Sequence, residues 1–447
     1  MGLREGYWQL IRGNRNFRLL WMAQIVSEIG DWLYAVVLYD MLLQSTGKAS
    51  AVAAAVVLQV LPQVLVSPLA GVVNDRLSRR TVMILTDIAR CAIIAAMLYV
   101  IRGGEFYLIY PLLLLETVMW AFFEPGRSAI LPSLVNGEQE LSTANTLASV
   151  TWSFNLAVGS ALGGLLSVVL GRDAVLALNS LSFLVSAWLL WRIRCTETHL
   201  ATAPPLRARD LADFHPMLEG FQYILRDAKL VALMCAKAGM GLLGAHHVLL
   251  PLFGERVFPI SGTAVLSMSL LMAARGVGAL AGPFAVMNWI GKAPGRRRFA
   301  ILGGFLASAL GYVALAASPN LWAAMASVIL AHAGLSVIWV VQTLMVQLQT
   351  EDRFRGRVFS ADFAALVIML AFSTHVSGLA SDAGAGPRAI ALAVGILGLV
   401  PAAMWAFLAM PLWRNDVDSV KSLGGRRAHQ FRRHLANRRL RHLPLAL

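Results

Sequence analysis

Long apolar runs, broken by short polar or basic stretches, dominate the chain from residue 17 to residue 411. About 20 apolar residues at 1.5 Å rise cross a bilayer core as a helix. Runs of that order lie at 17–43, 49–73, 80–101, 106–127, 140–170 and 173–193. After a polar stretch come 230–254, 261–290, 298–317, 320–349, 357–382 and 387–411. The pattern predicts an all-α integral membrane protein with twelve transmembrane helices in two six-helix bundles. The eleventh run is the least continuous, because Asp362 and His375 interrupt it.

Composition agrees with lipid as the main solvent. Of 447 residues, 58% are hydrophobic and 14% charged, where a soluble domain has about 25% charged. The net charge of +14 would fit a nucleic-acid partner in a soluble protein. Here all Lys and Arg except Arg90, Lys237 and Arg275 fall at the margins of the runs, between them or beyond them. Thirty lie on the side of the N-terminus and five on the other. The positive-inside rule then places both termini in the cytoplasm of a plasma (inner) membrane protein, with no nucleic-acid partner. Cys91, Cys195 and Cys235 form no CxxC or Cys/His spacing, so no metal site or cofactor is expected.

The spans divide the chain at 1–193, a cytoplasmic linker at 194–229, a second bundle at 230–411 and a basic tail at 412–447. In the linker, Phe214, Met217, Leu218, Phe221 and Leu225 recur at helical spacing and predict an interfacial amphipathic helix. The tail is expected to meet anionic lipid.

The halves echo each other: Leu-Ala-Gly at 69–71 returns at 280–282, and basic clusters follow both. Such parallel repeats joined by a long linker resemble the major facilitator superfamily of secondary transporters. GVVNDRLSRR (71–80) resembles that superfamily's signature loop, with Asn74 and Ser78 departing from it. GSALGG (159–164) resembles its antiporter motif, with Ser160 in place of proline. FFEPGRSAILPSLV (122–135) and EDRFRGRVFSADF (351–363) are similar to the drug- and siderophore-export branch, which includes macrolide and enterobactin exporters. The resemblance implies a latch at Gly71, Asp75, Arg76, Arg79 and Arg80, formed between the halves in the outward-open state. Gly71 would permit close backbone approach, and Asp75 would sit against the helix start near Gly356. Gly159, Gly163 and Gly164 would serve packing or gating.

The resemblance also implies that the first, fourth, seventh and tenth spans line the cavity. At 1.5 Å per residue, Glu28 and Asp31 lie roughly 16–21 Å into the first span, Glu116 roughly 15 Å into the fourth and His332 roughly 18 Å into the tenth. Arg275 is at similar depth in the eighth. An acid at the bilayer centre costs about 2.5–3.5 kcal/mol, so these groups mark the candidate substrate and proton site. Glu28 and Asp31 cannot neutralise each other, and such a pair favours a bound proton or cation. Arg275 is their candidate partner across the halves. Asp87 with Arg90, and Glu124 with Arg127, are expected to neutralise each other along their own helices. Proton-coupled drug exporters carry an arginine in the fourth span; this chain has Glu116 there instead. Trp32, Trp120 and Gln342 would complete an aromatic, adaptable cavity.

The leading expectation is therefore an exporter of a hydrophobic or amphipathic small molecule, working as a monomer by proton antiport. A dedicated siderophore or metabolite exporter is the runner-up, with uptake or lysophospholipid flipping behind it. A receptor on a transporter fold would bind without flux. The chain has no GxxxxGK[ST] loop for ATP hydrolysis and no channel filter. Ser373, His375 and Asp382 lie along one run without a nucleophile elbow, so no enzyme is expected.

Overall fold

The computed structural model describes residues 3–197, 200, 215–260, 264–291, 294–351 and 354–413. Much of the predicted linker and nearly all of the basic tail lie outside them. In the first half, α1 (Leu3–Gly13) precedes α2 (Arg15–Thr46), α3 (Ala49–Arg76), α4 (Arg79–Gly103), α5 (Ile109–Leu134), α6 (Gly137–Val169) and α7 (Arg172–Trp191). After α8 (His215–Leu225) the second half holds α9 (Ala228–Leu242), α10 (His246–Leu252), α11 (Ala264–Gly291), α12 (Arg297–Ala317), α13 (Leu321–Gln349), α14 (Arg355–Asp382), α15 (Pro387–Leu397) and α16 (Leu399–Met404).

Among the described residues, eleven helical segments are long and apolar enough to cross a membrane. The twelfth expected span, α2, is 32 residues long. Its acids Glu28, Asp31 and Asp40 interrupt its apolar run. Caps set several ends. The Asn14 side chain accepts from the Phe17 N–H at the start of α2, and Gly47 closes the helix in the left-handed region at φ 66°. Ser78 caps α4 through the Thr81 N–H, and Asn320 caps α13 through Ala323.

Two expected single spans are interrupted. The seventh breaks between α9 and α10, where a Cβ on Gly244 would stand 3.0 Å from the Leu370 Cα of α14. The twelfth divides at Gly398 and continues through a π-turn at Trp405–Ala409 to a 3-10 turn at Met410–Trp413. The helix α1 is an addition that the apolar pattern does not announce.

In the first half α2 packs on α6 and α7, while α4 packs on α5 and α7. In the second half α13 packs on α11 and α12, and α9 on α14. The halves meet along two seams, α6 against α11 and α3 against α14. At one end of the second seam the Asp382 carboxylate accepts the Ala49 and Ser50 backbone N–H groups at 2.7 and 3.2 Å. Arg256 there donates to the Gly47 carbonyl and the Ser381 hydroxyl, both at 3.2 Å. The linker helix α8 packs on α14, where Glu219 pairs with Arg357.

Candidate functional site

At the centre of the first half, three helices converge on one buried guanidinium. Arg90 of α4 is 2% exposed and lies 4.0 Å over the Phe183 ring. Its Nη2 donates to both oxygens of Asp31 on α2, at 2.9 and 3.0 Å. Its Nε donates to Glu116 of α5 at 2.8 Å. Asp87, one turn back on its own helix, is 3.9 Å from Nη1. The planar five-donor fork of arginine suits this bridging, and its weak hydration suits burial. Sequence spacing pairs Arg90 with Asp87 alone, whereas the structure gives its short contacts to Asp31 and Glu116. Arg275 is accordingly not the partner of Asp31. The cation beside Glu116 comes from the third expected span, not the fourth.

Glu28 belongs to a separate network, though it lies one turn from Asp31. It accepts from Gln24 Nε2 at 2.8 Å and from Asn155 Nδ2 of α6 at 2.9 Å. Arg127 donates to Gln24 Oε1 at 3.3 Å and pairs with Glu124 as the sequence predicts. The two networks bring five carboxylates and two guanidiniums into the first half. Asp31, with 29% of its side chain exposed, keeps a solvent-accessible edge.

The glycine motif places this acid-bearing helix. A Cβ on Gly159 would stand 2.8 Å from the Trp32 Cβ, and one on Gly163 would stand 2.9 Å from the Leu33 carbonyl oxygen. These two glycines let α6 and α2 approach backbone to backbone beside Glu28 and Asp31. Gly164 faces the other way, onto Ser269 and Val265 of α11, in the seam between the halves.

Across that seam, the Arg275 guanidinium of α11 lies 5.6 Å from the Trp32 ring centre, and Trp32 makes an edge contact with Trp152 at 5.9 Å. His332 is not level with the acids alone: its ring meets His246 edge-on at 4.6 Å, and His246 lies 4.2 Å from His247. The break before α10 leaves the Leu243 carbonyl free to accept from the Tyr312 hydroxyl at 2.9 Å. Among the described residues no group of His, Cys, Asp and Glu has metal-holding geometry.

Gln342 is fully buried in the second half. It accepts from Lys237 at 3.2 Å and donates to Asp362 at 2.7 Å, inside a buried network over which Trp339 stacks. Trp120 is half-buried.

The signature-like loop is tied to its own half. Arg79 donates to the Ala129 carbonyl at 2.9 Å, and Arg80 to the Ile193 carbonyl at 2.7 Å. Arg76 is half-buried. Asn74, the departure from the family pattern, is buried and donates to the Phe122 carbonyl at 3.0 Å. Asp75 has 72% of its side chain exposed and pairs with Arg79 at 3.5 Å, so it is not seated at the α14 start in this conformation. A Cβ on Gly71 or Gly356 would meet nothing within 4 Å. Gly71 therefore does not mediate a close approach here.

Arg90, Trp152 and the Lys237–Asp362 pair are the residues that sequence reasoning undervalued. The available signal was a cation in the middle of an apolar run, which only Arg90, Lys237 and Arg275 provide.

The profile of a major facilitator family described as transmembrane secretion effectors matches residues 9–438. A putative bacilysin exporter of Bacillus amyloliquefaciens is 25% identical, covering 82% of this chain and 89% of that protein. An uncharacterised major-facilitator-type transporter of Mycobacterium tuberculosis is 28% identical over 88% of this chain and 92% of its own. Macrolide efflux protein A of Streptococcus pyogenes is 25% identical over 82% and 89%. Among solved structures, a POT family transporter in complex with a thioalcohol-conjugated peptide superposes with a TM-score of 0.71 at 11% identity, covering 90% of this chain and 96% of that one. A nucleoside transporter gives 0.66 at 14% identity over 89% and 100%. At such identities these structures establish the fold.

Proposed function

Because the chain belongs to the transmembrane secretion effector family of the major facilitator superfamily, a family of multi-pass membrane transporters and not enzymes, we propose that it exports a hydrophobic or amphipathic small molecule by alternating access, coupled to proton entry. The membrane is the plasma (inner) membrane, with both termini cytoplasmic, as the distribution of Lys and Arg supports. The working unit is a monomer. Two relatives named for efflux or export support the outward direction.

The observation that carries the coupling is the shared guanidinium. Asp31 and Glu116 come from two helices and converge on Arg90 from a third, with Asp87 behind it. Three carboxylates around one cation carry an excess of negative charge when all are ionised, and a proton or a cationic substrate relieves it. Asp31 is the member with an accessible edge, so it is the entry point. Either occupant loosens the fork between α2 and α4, which links occupancy to helix position. Glu28, held by neutral Gln24 and Asn155, is the second carboxylate of this pathway. The unlatched loop at Asp75 and the bridged end at Asp382 fit a state open towards the cytoplasm.

The test is transport by purified protein in proteoliposomes, with substrates drawn from a susceptibility panel of a deletion strain. Asp31→Asn should abolish uphill transport driven by a pH gradient while leaving substrate exchange at equal pH largely intact. Unchanged uphill transport removes Asp31 from coupling. Saturable binding without any flux would favour a receptor.

A further inference from the structure

The described charged side chains in the helix interiors of the first half all have partners. Arg90 and Arg127 are paired, and Glu28 is hydrogen-bonded twice. In the second half Lys237 faces Asp362 at 3.7 Å. Arg275 differs. It sits near the middle of the 28-residue α11, and among the described residues it has neither an ion pair nor a hydrogen bond. Its contact is the face of Trp32, the residue that follows Asp31.

An arginine in the bilayer interior is costly, and its five N–H donors require acceptors. The titratable groups that act on it are the Tyr39 and Tyr312 hydroxyls, not carboxylates. The Tyr312 hydroxyl is already committed to the Leu243 carbonyl. His246, in edge contact with His332, has a buried Nε2 without a hydrogen-bond partner. The second half therefore presents an uncompensated cation and, in its histidine cluster, a buried nitrogen without a partner. The first half presents surplus carboxylate. The Trp32–Trp152 pair lies at the join, with Asp31 preceding Trp32 on α2 and Arg275 over its ring.

We infer that Arg275 is the anion pole of a two-pole substrate site whose cation pole is the Asp31 edge of the Arg90 cluster. The transported class is then a zwitterion: a molecule with an amine, a carboxylate and an apolar or aromatic body that lies on Trp32 and Trp152. The carboxylate accepts from the Arg275 fork, bidentate geometry favouring it over a monoatomic anion. The amine donates to the free edge of Asp31. Each pole neutralises what the empty protein leaves unbalanced, so a ligand with both charges gains more than one with either alone. This assignment rests on the proposed function in taking the seam between the halves as the transport site.

The probes are benzoate, benzylamine and the dipeptide phenylalanyl-alanine, with full-length protein in nanodiscs at one pH and without a gradient. Benzoate should raise the melting temperature saturably in the wild type and in Arg275→Lys, but not in Arg275→Gln. Benzylamine should stabilise the wild type and Arg275→Gln, but not Asp31→Asn. The dipeptide should bind at least tenfold tighter than either fragment, and its methyl ester should lose that advantage. No benzoate effect, or an equal effect in Arg275→Gln, overturns the assignment. If Arg275→Gln does not fold, phenylglyoxal labelling of the wild-type protein decides. Benzoate should slow modification of Arg275, read by peptide mass spectrometry, at least tenfold; an unchanged rate overturns the inference. None of these readouts needs flux, so loss of pH-driven export would sink the export reading while leaving this one standing.

Discussion

One guanidinium organises the interior of the first half, and its removal should be felt as stability before it is felt as transport. Arg90→Leu leaves Asp31, Glu116 and Asp87 without their buried cation. Breaking a buried pair by deleting one partner costs about 3–5 kcal/mol. The measurement is thermal unfolding in detergent, where Arg90→Leu should melt well below the wild type. Arg90→Lys should fall between them, because one ammonium cannot hold Asp31 bidentately and also reach Glu116. Adding Asp31→Asn to Arg90→Leu should recover part of the loss, since contacting residues couple by about 0.5–3 kcal/mol; strictly additive effects would dissolve the cluster as a unit. At this scale the sequence marked Asp31, Glu28 and Glu116 through their cost in lipid, but it assigned the cation wrongly. Spacing reports which groups meet along one helix, such as Glu124 and Arg127. It carries no information on which of several helices presents the better acceptor, and Arg90 finds two acceptors on α2 and α5 beyond the one on α4.

Between elements, glycine decides how near two helices come, and two glycines singled out by motif give opposite forecasts. Gly163 is pressed against the backbone of Leu33, so Gly163→Val must push α6 from α2. Overpacking of this kind costs about 1–3 kcal/mol, readable as a lower melting temperature and loss of pH-driven transport. Gly71, inside α3 with open space around it, should accept alanine and gain about 0.4–1 kcal/mol from the stiffer unfolded chain. A destabilised Gly71→Ala would restore the close approach that the motif implies. The contrast also shows what apolar patterning reveals about a membrane protein. Helix positions were legible within a few residues, because lipid forbids unpaired backbone and leaves few alternatives, except in the fourth run, where α5 continues past Arg127 to Leu134 and places that arginine inside the helix. The breaks at Leu243–Ala245 and Gly398 were not, since a glycine in an apolar run reads equally well as tight packing. The repeat was legible, yet its glycines diverge: Gly282 abuts the Ala333 carbonyl of α13, while Gly71, at the matching place in the first half, abuts nothing.

Across the whole molecule, the two halves are joined at one end by a cap supplied in trans. Helix α3 begins after Lys48, which gives no side-chain cap of its own. Asp382, at the last turn of α14 in the other half, accepts the first two N–H groups instead, and its charge complements the positive end of α3. Gly378 brings α14 within contact of Ala53 and Ser50 beside it. A cap of this kind is worth about 0.5–2 kcal/mol. It exists only while this end is shut, so it biases the balance between the two facing states by about 2- to 30-fold. Asp382→Ala should therefore move the population towards the state in which this end opens and the opposite end, at Gly71 and Gly356, closes. Cysteines at those two positions, in a chain with Cys91, Cys195 and Cys235 replaced by serine, provide the gauge. Both sites have room for the side chain. A short bifunctional maleimide should join them several-fold faster in the Asp382→Ala background than in its parent. Equal rates would mean that the cap merely finishes a helix, and that the seam between α3 and α14 takes its preference from elsewhere.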